Sequence, residues 1–184
     1  MSLHRLCCCS PTHTCAACAA STAAEQYQVV IDGWTACTGC FDLGTGTRYK
    51  IVGDLNGTWT LDFYTFGSVY CIWKVTTDVV LESHSSSSCD AGDLLSSEYI
   101  ELYFSVTASG GHYYYAIQAY GGGSGQVFLF DSGSIDLGTS APDCTATDET
   151  MANLFDGVTP VCGDAYTSGE YVFGYGGTAT VTAI

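Results

Sequence analysis

Basic residues are nearly missing from this chain. Arg5, Arg48, Lys50 and Lys74 stand against 19 Asp and Glu in 184 residues, for a formal net charge of −15. Nucleic-acid binding draws on Lys and Arg to displace counterions from phosphate, and so few scattered cations exclude a basic stripe. Docking on an anionic membrane surface is excluded by the same physics. Long apolar runs are missing too, and none approaches the length that spans a bilayer as a helix. The text rich in Ala, Leu, Glu and Lys that builds long helices is lacking. The shortage of Lys and Arg also leaves trypsin-like proteases few bonds to cut, which suits an exposed protein.

Aromatic and turn-forming residues fill that space. There are 13 Tyr, 8 Phe and 3 Trp, with 22 Gly between them, and aromatic and β-branched side chains fit a pleated, half-buried surface. Trp59, Leu61 and Phe63 alternate with Thr58, Thr60 and Asp62, the period of a strand with one face buried. Residues 27–33, 47–52, 69–75, 78–83, 98–106, 112–120, 126–131, 134–137, 170–175 and 178–183 read as further strands. Gly110-Gly111 marks a hairpin turn, and residues 148–155 read as one short helical turn. About ten short strands at regular spacing predict an all-β fold, a jelly-roll-like β-sandwich over residues 26–184. A chain of this length buries roughly 70% of its unfolded surface, enough for a real core. Residues 1–25, with Ser10-Pro11-Thr12 and small residues from Ala16 to Ala24, lack an apolar period and read as an irregular Cys-rich arm.

The start, Met1 to Leu6 followed by Cys7-Cys8-Cys9-Ser10-Pro11, carries no apolar core of a secretory signal. That predicts synthesis in a cytoplasm, whereas the cysteine content predicts an oxidising exterior. A virion component satisfies both, because it assembles inside the host and is exposed after lysis.

The eleven cysteines fall into two groups. Cys37, Cys40, Cys71, Cys89, Cys144 and Cys162 are spread through the body and are the disulfide candidates, with the connectivity left open. Cys37 and Cys40 have C-x-x-C spacing, but a redox dithiol normally opens a helix after a strand. The text around this pair reads as a loop, so a staple is the better reading. Cys144 and Cys162 bracket an irregular segment that a bond between them would close. Cys7, Cys8, Cys9, Cys15 and Cys18 crowd the arm and are candidates for an anchor or for crosslinks to another chain. Cys7, Cys9, Cys15 and Cys18, with His4 and His13 nearby, also offer enough ligands for a tetrahedral zinc site. The spacing is irregular, and adjacent cysteines do not all reach one ion. A disulfide-tied arm or anchor ranks first and zinc second; no other cofactor is expected. The odd total leaves at least one cysteine free, metal-bound or paired outside the chain.

No catalytic constellation stands out, and the chain does not read as an enzyme. His4, His13, His84 and His112 fall in the arm, a Ser-rich turn and a strand start, without a G-x-S-x-G elbow. A pair of carboxylates arises by chance among so many acids and carries no weight. Asp54-Leu55-Asn56-Gly57 lacks the later ligands of a calcium loop and reads as a turn. Tyr113, Tyr114, Tyr115 and Tyr120 are the candidates for stacking on a glycan or for a protein interface. Alternation sends Tyr113 and Tyr115 to one face and Tyr114 to the other, and core packing is expected to take most of these rings.

Several pieces in this order resemble a known group. They are Cys37-x-x-Cys40, Leu55-Asn56-Gly57-Thr58-Trp59-Thr60-Leu61, Cys71-Ile72-Trp73, a Gly-rich middle, a late Cys and Ala179-Thr180-Val181-Thr182, after a start with Cys7-Cys8-Cys9. The chain is similar in these to cysteine-rich structural and decoration proteins of tailed phages and of phage-like genes in bacterial genomes. The resemblance implies a virion structural component on the particle surface, with other virion proteins and further copies of itself as partners. The alternatives are a carbohydrate-binding or adhesin module and a subunit of an extracellular filament.

Overall fold

A computed structural model describes residues 12–121, 126–158, 160–167 and 170–184. In chain order its strands are β1 Thr12–Thr14, β2 Thr22–Ala24, β3 Gln26–Asp32, β4 Thr35–Ala36, β5 Phe41–Asp42, β6 Arg48–Val52, β7 Gly57–Phe66 and β8 Tyr70–His84. They continue with β9 Leu94–Ser109, β10 His112–Gly121, β11 Gln126–Asp131, β12 Ile135–Gly138, β13 Asp148–Ala152, β14 Ala165–Thr167, β15 Glu170–Val172, β16 Gly174–Tyr175 and β17 Thr178–Ala183. Thirteen of them form one sheet, ordered β13-β17-β3-β7-β8-β9-β10-β11-β15-β14. Strand β6 lies beside the far half of β8, β5 beside β6, and β12 beside the start of β10. Among the described strands β11 and β15 alone pair in parallel, and a single parallel bridge joins Ala23 to Cys144.

Alternation explains which face is inside. β3 buries Tyr27, Val29 and Ile31, β9 buries Ile100, Leu102, Phe104 and Val106, and β10 buries Tyr115, Ile117 and Ala119. The sheet curls so that these faces meet, which gives the all-β, sandwich-like fold expected from the sequence. At the centre Trp73 packs edge-on to Tyr27 at 4.7 Å and lies 5.6 Å from Phe104. Its buried indole N–H still has a partner, donating to the Ala24 carbonyl at 3.0 Å, as a buried polar atom requires.

Two features hold the curl. β4 pairs with β16, joining the chain after β3 to the chain after β15. Trp34, which precedes β4, donates its indole N–H to the Leu129 carbonyl of β11 at 2.7 Å. Gly174 and Gly177 make room for that ring and its backbone. A Cβ on Gly174 would stand 2.3 Å from Trp34 Nε1, and one on Gly177 would stand 2.6 Å from the Trp34 nitrogen.

The β9–β10 hairpin turns at Gly110 and Gly111, both at positive φ, 59° and 83°, as a two-residue type I′ turn demands. Residues 69–75 and 78–83, expected as two strands, fall from Tyr70 onward in the single strand β8, whose register against β9 shifts between Thr76 and Val80. Thr77 fills that bulge, its hydroxyl donating to the Ile100 carbonyl and accepting from the Val79 N–H. Residues 148–155 do not form the expected helical turn. Asp148–Ala152 is strand β13, held by antiparallel pairing with β17.

The cysteines correct the expected grouping. The bonds are Cys15–Cys71, Cys18–Cys144, Cys37–Cys162 and Cys40–Cys89. Cys144 and Cys162 therefore do not close the segment between them, and Cys37 and Cys40 each reach a different partner. Cys15 and Cys18, expected as anchor, crosslink or zinc candidates, are bonded inside the chain and are not thiolate ligands. Cys7, Cys8 and Cys9 lie outside the described residues, and the zinc site as drawn loses two of its four sulfurs. The described part of the expected disulfide-tied arm is bonded to the body of the domain through Cys15 and Cys18. β1 and β2 pair as a small ribbon, and Cys15, Ala17, Cys18, Ala23 and Ala24 are buried in the common core. His13 from this ribbon stacks on Phe63 of β7 at 3.9 Å.

Candidate functional site

The faces of β9 and β10 that turn away from the core carry Ser105 and Thr107 on one strand and Tyr114, Ala116 and Gln118 on the other. Thr107 stands opposite Tyr114 and Ser105 opposite Ala116. These residues form the floor of a cleft of about 500 Å³. Three segments wall it: Asp131 to Ser134 at the end of β11, Leu154 after β13, and Tyr166 on β14.

Those walls are held in place by buried polar atoms. Asp131 is 7% exposed, and its Oδ1 accepts the Gly133 N–H at 2.8 Å. The Ser132 hydroxyl oxygen accepts the Ile117 N–H of β10 at 2.9 Å, pinning the turn to the floor. Asn153 is buried, donates from Nδ2 to the Gly176 carbonyl at 3.0 Å, and thereby fixes the chain just before Leu154. The Leu154 N–H donates to the Asp131 carbonyl at 2.7 Å. The Tyr166 ring lies against Phe155 and Phe128, at 5.2 and 5.8 Å between centroids. Burial, then the charges of Asp131 and Glu170 and a hydrogen bond to Asp131, push the Tyr166 hydroxyl above the ordinary phenol range. Tyr166 therefore stays a neutral donor beside a carboxylate.

An aromatic stripe extends the same face across the sheet. Tyr120 stacks between Tyr103, at 4.9 Å, and Phe128, at 5.5 Å. On β8, Lys74 lies 4.1 Å over the exposed Tyr64 ring and 2.7 Å from Glu101 Oε1. Lys74 and then the Tyr103 hydroxyl hold the Glu101 carboxyl below its usual range. Burial and Glu101 together push the Tyr103 hydroxyl far up.

The four tyrosines singled out from the sequence part company here. Tyr115 is core, 5.3 Å from Phe104, with its hydroxyl 3.2 Å from that of Thr147. Tyr113 is half-buried opposite Ala108, near β12. Tyr114 lines the cleft, and Tyr120 belongs to the stripe. Gln118, Asp131 and Tyr166 are site residues that sequence reasoning missed. Gln118 carries a usable signal, because it shares its face with Tyr114 and Ala116 on a strand whose other face is apolar. Asp131 stands directly opposite Gln118 in the antiparallel pair of β10 and β11, so only the pairing of the two strands identifies it, and Tyr166 carries no signal, since β14 lies beyond β11 and β15 in the sheet order. Among the described residues, no group of His, Cys, Asp and Glu is arranged to hold a metal ion.

Comparison with known protein families, with curated proteins and with solved structures finds no match to this chain.

Proposed function

We propose that this protein is a disulfide-stapled structural component of an extracellular particle, a decoration or appendage subunit of a tailed-phage virion. The observation that carries the reading is cysteine parity. Eight of the eleven cysteines are consumed by four bonds within the chain. What remains is the consecutive trio Cys7-Cys8-Cys9, an odd set that cannot be fully paired within one chain. A thiol left over in an oxidising setting is a means of joining a neighbour.

The rest of the chemistry supports the same role. Disulfides that persist belong to oxidising compartments. A charge of −15 keeps unassembled copies apart in solution. The resemblance to cysteine-rich phage structural proteins points the same way.

Intact mass of the protein isolated from native particles, with and without reduction, tests this. The expected result is a covalent oligomer or heteromer that reduction collapses to the single chain. Variants with Cys7, Cys8 and Cys9 all changed to Ser should be monomeric before reduction and still keep four bonds. A monomer with the trio free, or absence of the protein from the particles, would count decisively against the reading.

A further inference from the structure

We propose that the cleft on the outer face of β9 and β10 binds a neutral mono- or disaccharide, with Tyr114 as the stacking surface and Gln118 and Asp131 as hydrogen-bonding groups. This stands on the cleft alone and does not depend on the protein's place in a particle. At about 500 Å³ the cleft falls within the range of small-molecule sites, roughly 300–1,000 Å³.

Its lining selects the class of ligand. A sugar ring offers an apolar C–H face for an aromatic ring and an edge of hydroxyls that both donate and accept. Tyr114 supplies a ring in the floor and Tyr166 one in the wall. Ser105, Thr107 and Gln118 supply groups that both donate and accept, and Asp131 supplies a carboxylate that only accepts. A purely apolar ligand would strip water from these groups without replacing their hydrogen bonds.

Charge narrows the class further. No Lys, Arg or His lines the cleft, and Asp131 stands inside it. Phosphorylated, sulfated and sialylated ligands would meet a carboxylate with no cation to offset it. Neutral sugars meet no such opposition.

The site is also preformed. Its floor is strand rather than loop, and the Asp131 turn is tied down by the Ile117 N–H to the Ser132 hydroxyl, the Gly133 N–H to Asp131 Oδ1 and the Asp131 N–H to Asn153 Oδ1. Groups locked by their own packing lose little freedom on binding.

Saturation-transfer NMR on the full chain tests the proposal, using glucose, galactose, N-acetylglucosamine, lactose and cellobiose, with glucuronate and sialyllactose as charged counterparts. Transfer to ring C–H protons of at least one neutral sugar is expected, with weaker or no transfer to the charged pair. Tyr114→Ala should weaken binding by about fivefold or more, and Tyr114→Phe by less than about twofold. Gln118→Ala should also weaken it, and it decides the matter if Tyr114→Ala fails to fold. Tyr64→Ala, exposed on the same face but outside the cleft, should change nothing. Any of three results overturns the proposal: no transfer to any neutral sugar, preference for the charged sugars, or binding that survives both cleft substitutions.

Discussion

Gly177 shows how closely single positions are specified. It sits at φ +81°, and a Cβ there would approach the Trp34 nitrogen to 2.6 Å and the Asp32 oxygen to 2.8 Å. Both neighbours are backbone, so neither swings aside. Gly44 has almost the same φ, +82°, with nothing near its absent Cβ. Gly44→Ala should therefore cost only the left-handed strain, about 1 kcal/mol, while Gly177→Ala should cost about 3 kcal/mol or more by adding a clash with the backbone that seats Trp34. Urea unfolding of the two variants side by side separates these costs. Glu101 is a second residue with a measurable signature. Its folded pKa is below the ordinary value of 4.5 because Lys74 and Tyr103 hydrogen-bond the carboxylate. Its contribution to stability is thus present above pH 4.5 and is lost as the pH falls through the lower folded value. In Glu101→Gln, the loss of urea midpoint relative to the parent should shrink between pH 7 and pH 3. A constant gap across that range would mean that the carboxylate's charge is not what stabilises the stripe.

Elements here are held by long-range ties more than by their own pairing. The β1–β2 ribbon has three paired positions, far too few to persist alone. Two disulfides secure it: Cys15 to Cys71 on β8, and Cys18 to Cys144 before β13. The Cys15–Cys71 bond spans 56 residues, a closure worth roughly 4 kcal/mol on chain-entropy grounds. Cys15→Ala with Cys71→Ala should lower stability by about 2–4 kcal/mol. Hydrogen exchange should show Ala23 and Ala24 losing protection before β9 and β10 do. Uniform loss across the sheet would show instead that the ribbon and the sheet open as one unit. The hairpin of β8 and β9 obeys a different logic. Its length is legible as alternation along residues 98–106, yet the polar stretch Thr76-Thr77-Asp78 hides the continuity of β8, where four residue steps on β8 span two on β9 without ending the pairing.

Across the whole molecule, four crosslinks tie one curled sheet to its two ends and its N-terminal ribbon. The bonds from Cys18 and Cys37 span 126 and 125 residues, so reduction releases nearly the full chain. The same architecture places the Tyr114 cleft on the outer face of the sheet while the opposite face is consumed by the core. Tyr115 apart, the proposed sugar cleft and the core therefore draw on different residues.

The amino-acid sequence by itself determined the all-β class, most strand positions, the Gly110-Gly111 hairpin and the reliance on disulfides. Each of these rests on short-range physics: side chains alternate faces every second residue, and paired glycines adopt positive φ. Which cysteines pair, the ribbon's burial in the core, and the cleft were decided by the tertiary structure. Cys18 meets Cys144, and Leu154 closes over the cleft that holds Tyr114 and Asp131, only because the sheet curls until its distant strands face one another. That closure depends on the summed packing around Trp73, Tyr27 and Phe104, and no local pattern along the chain encodes it.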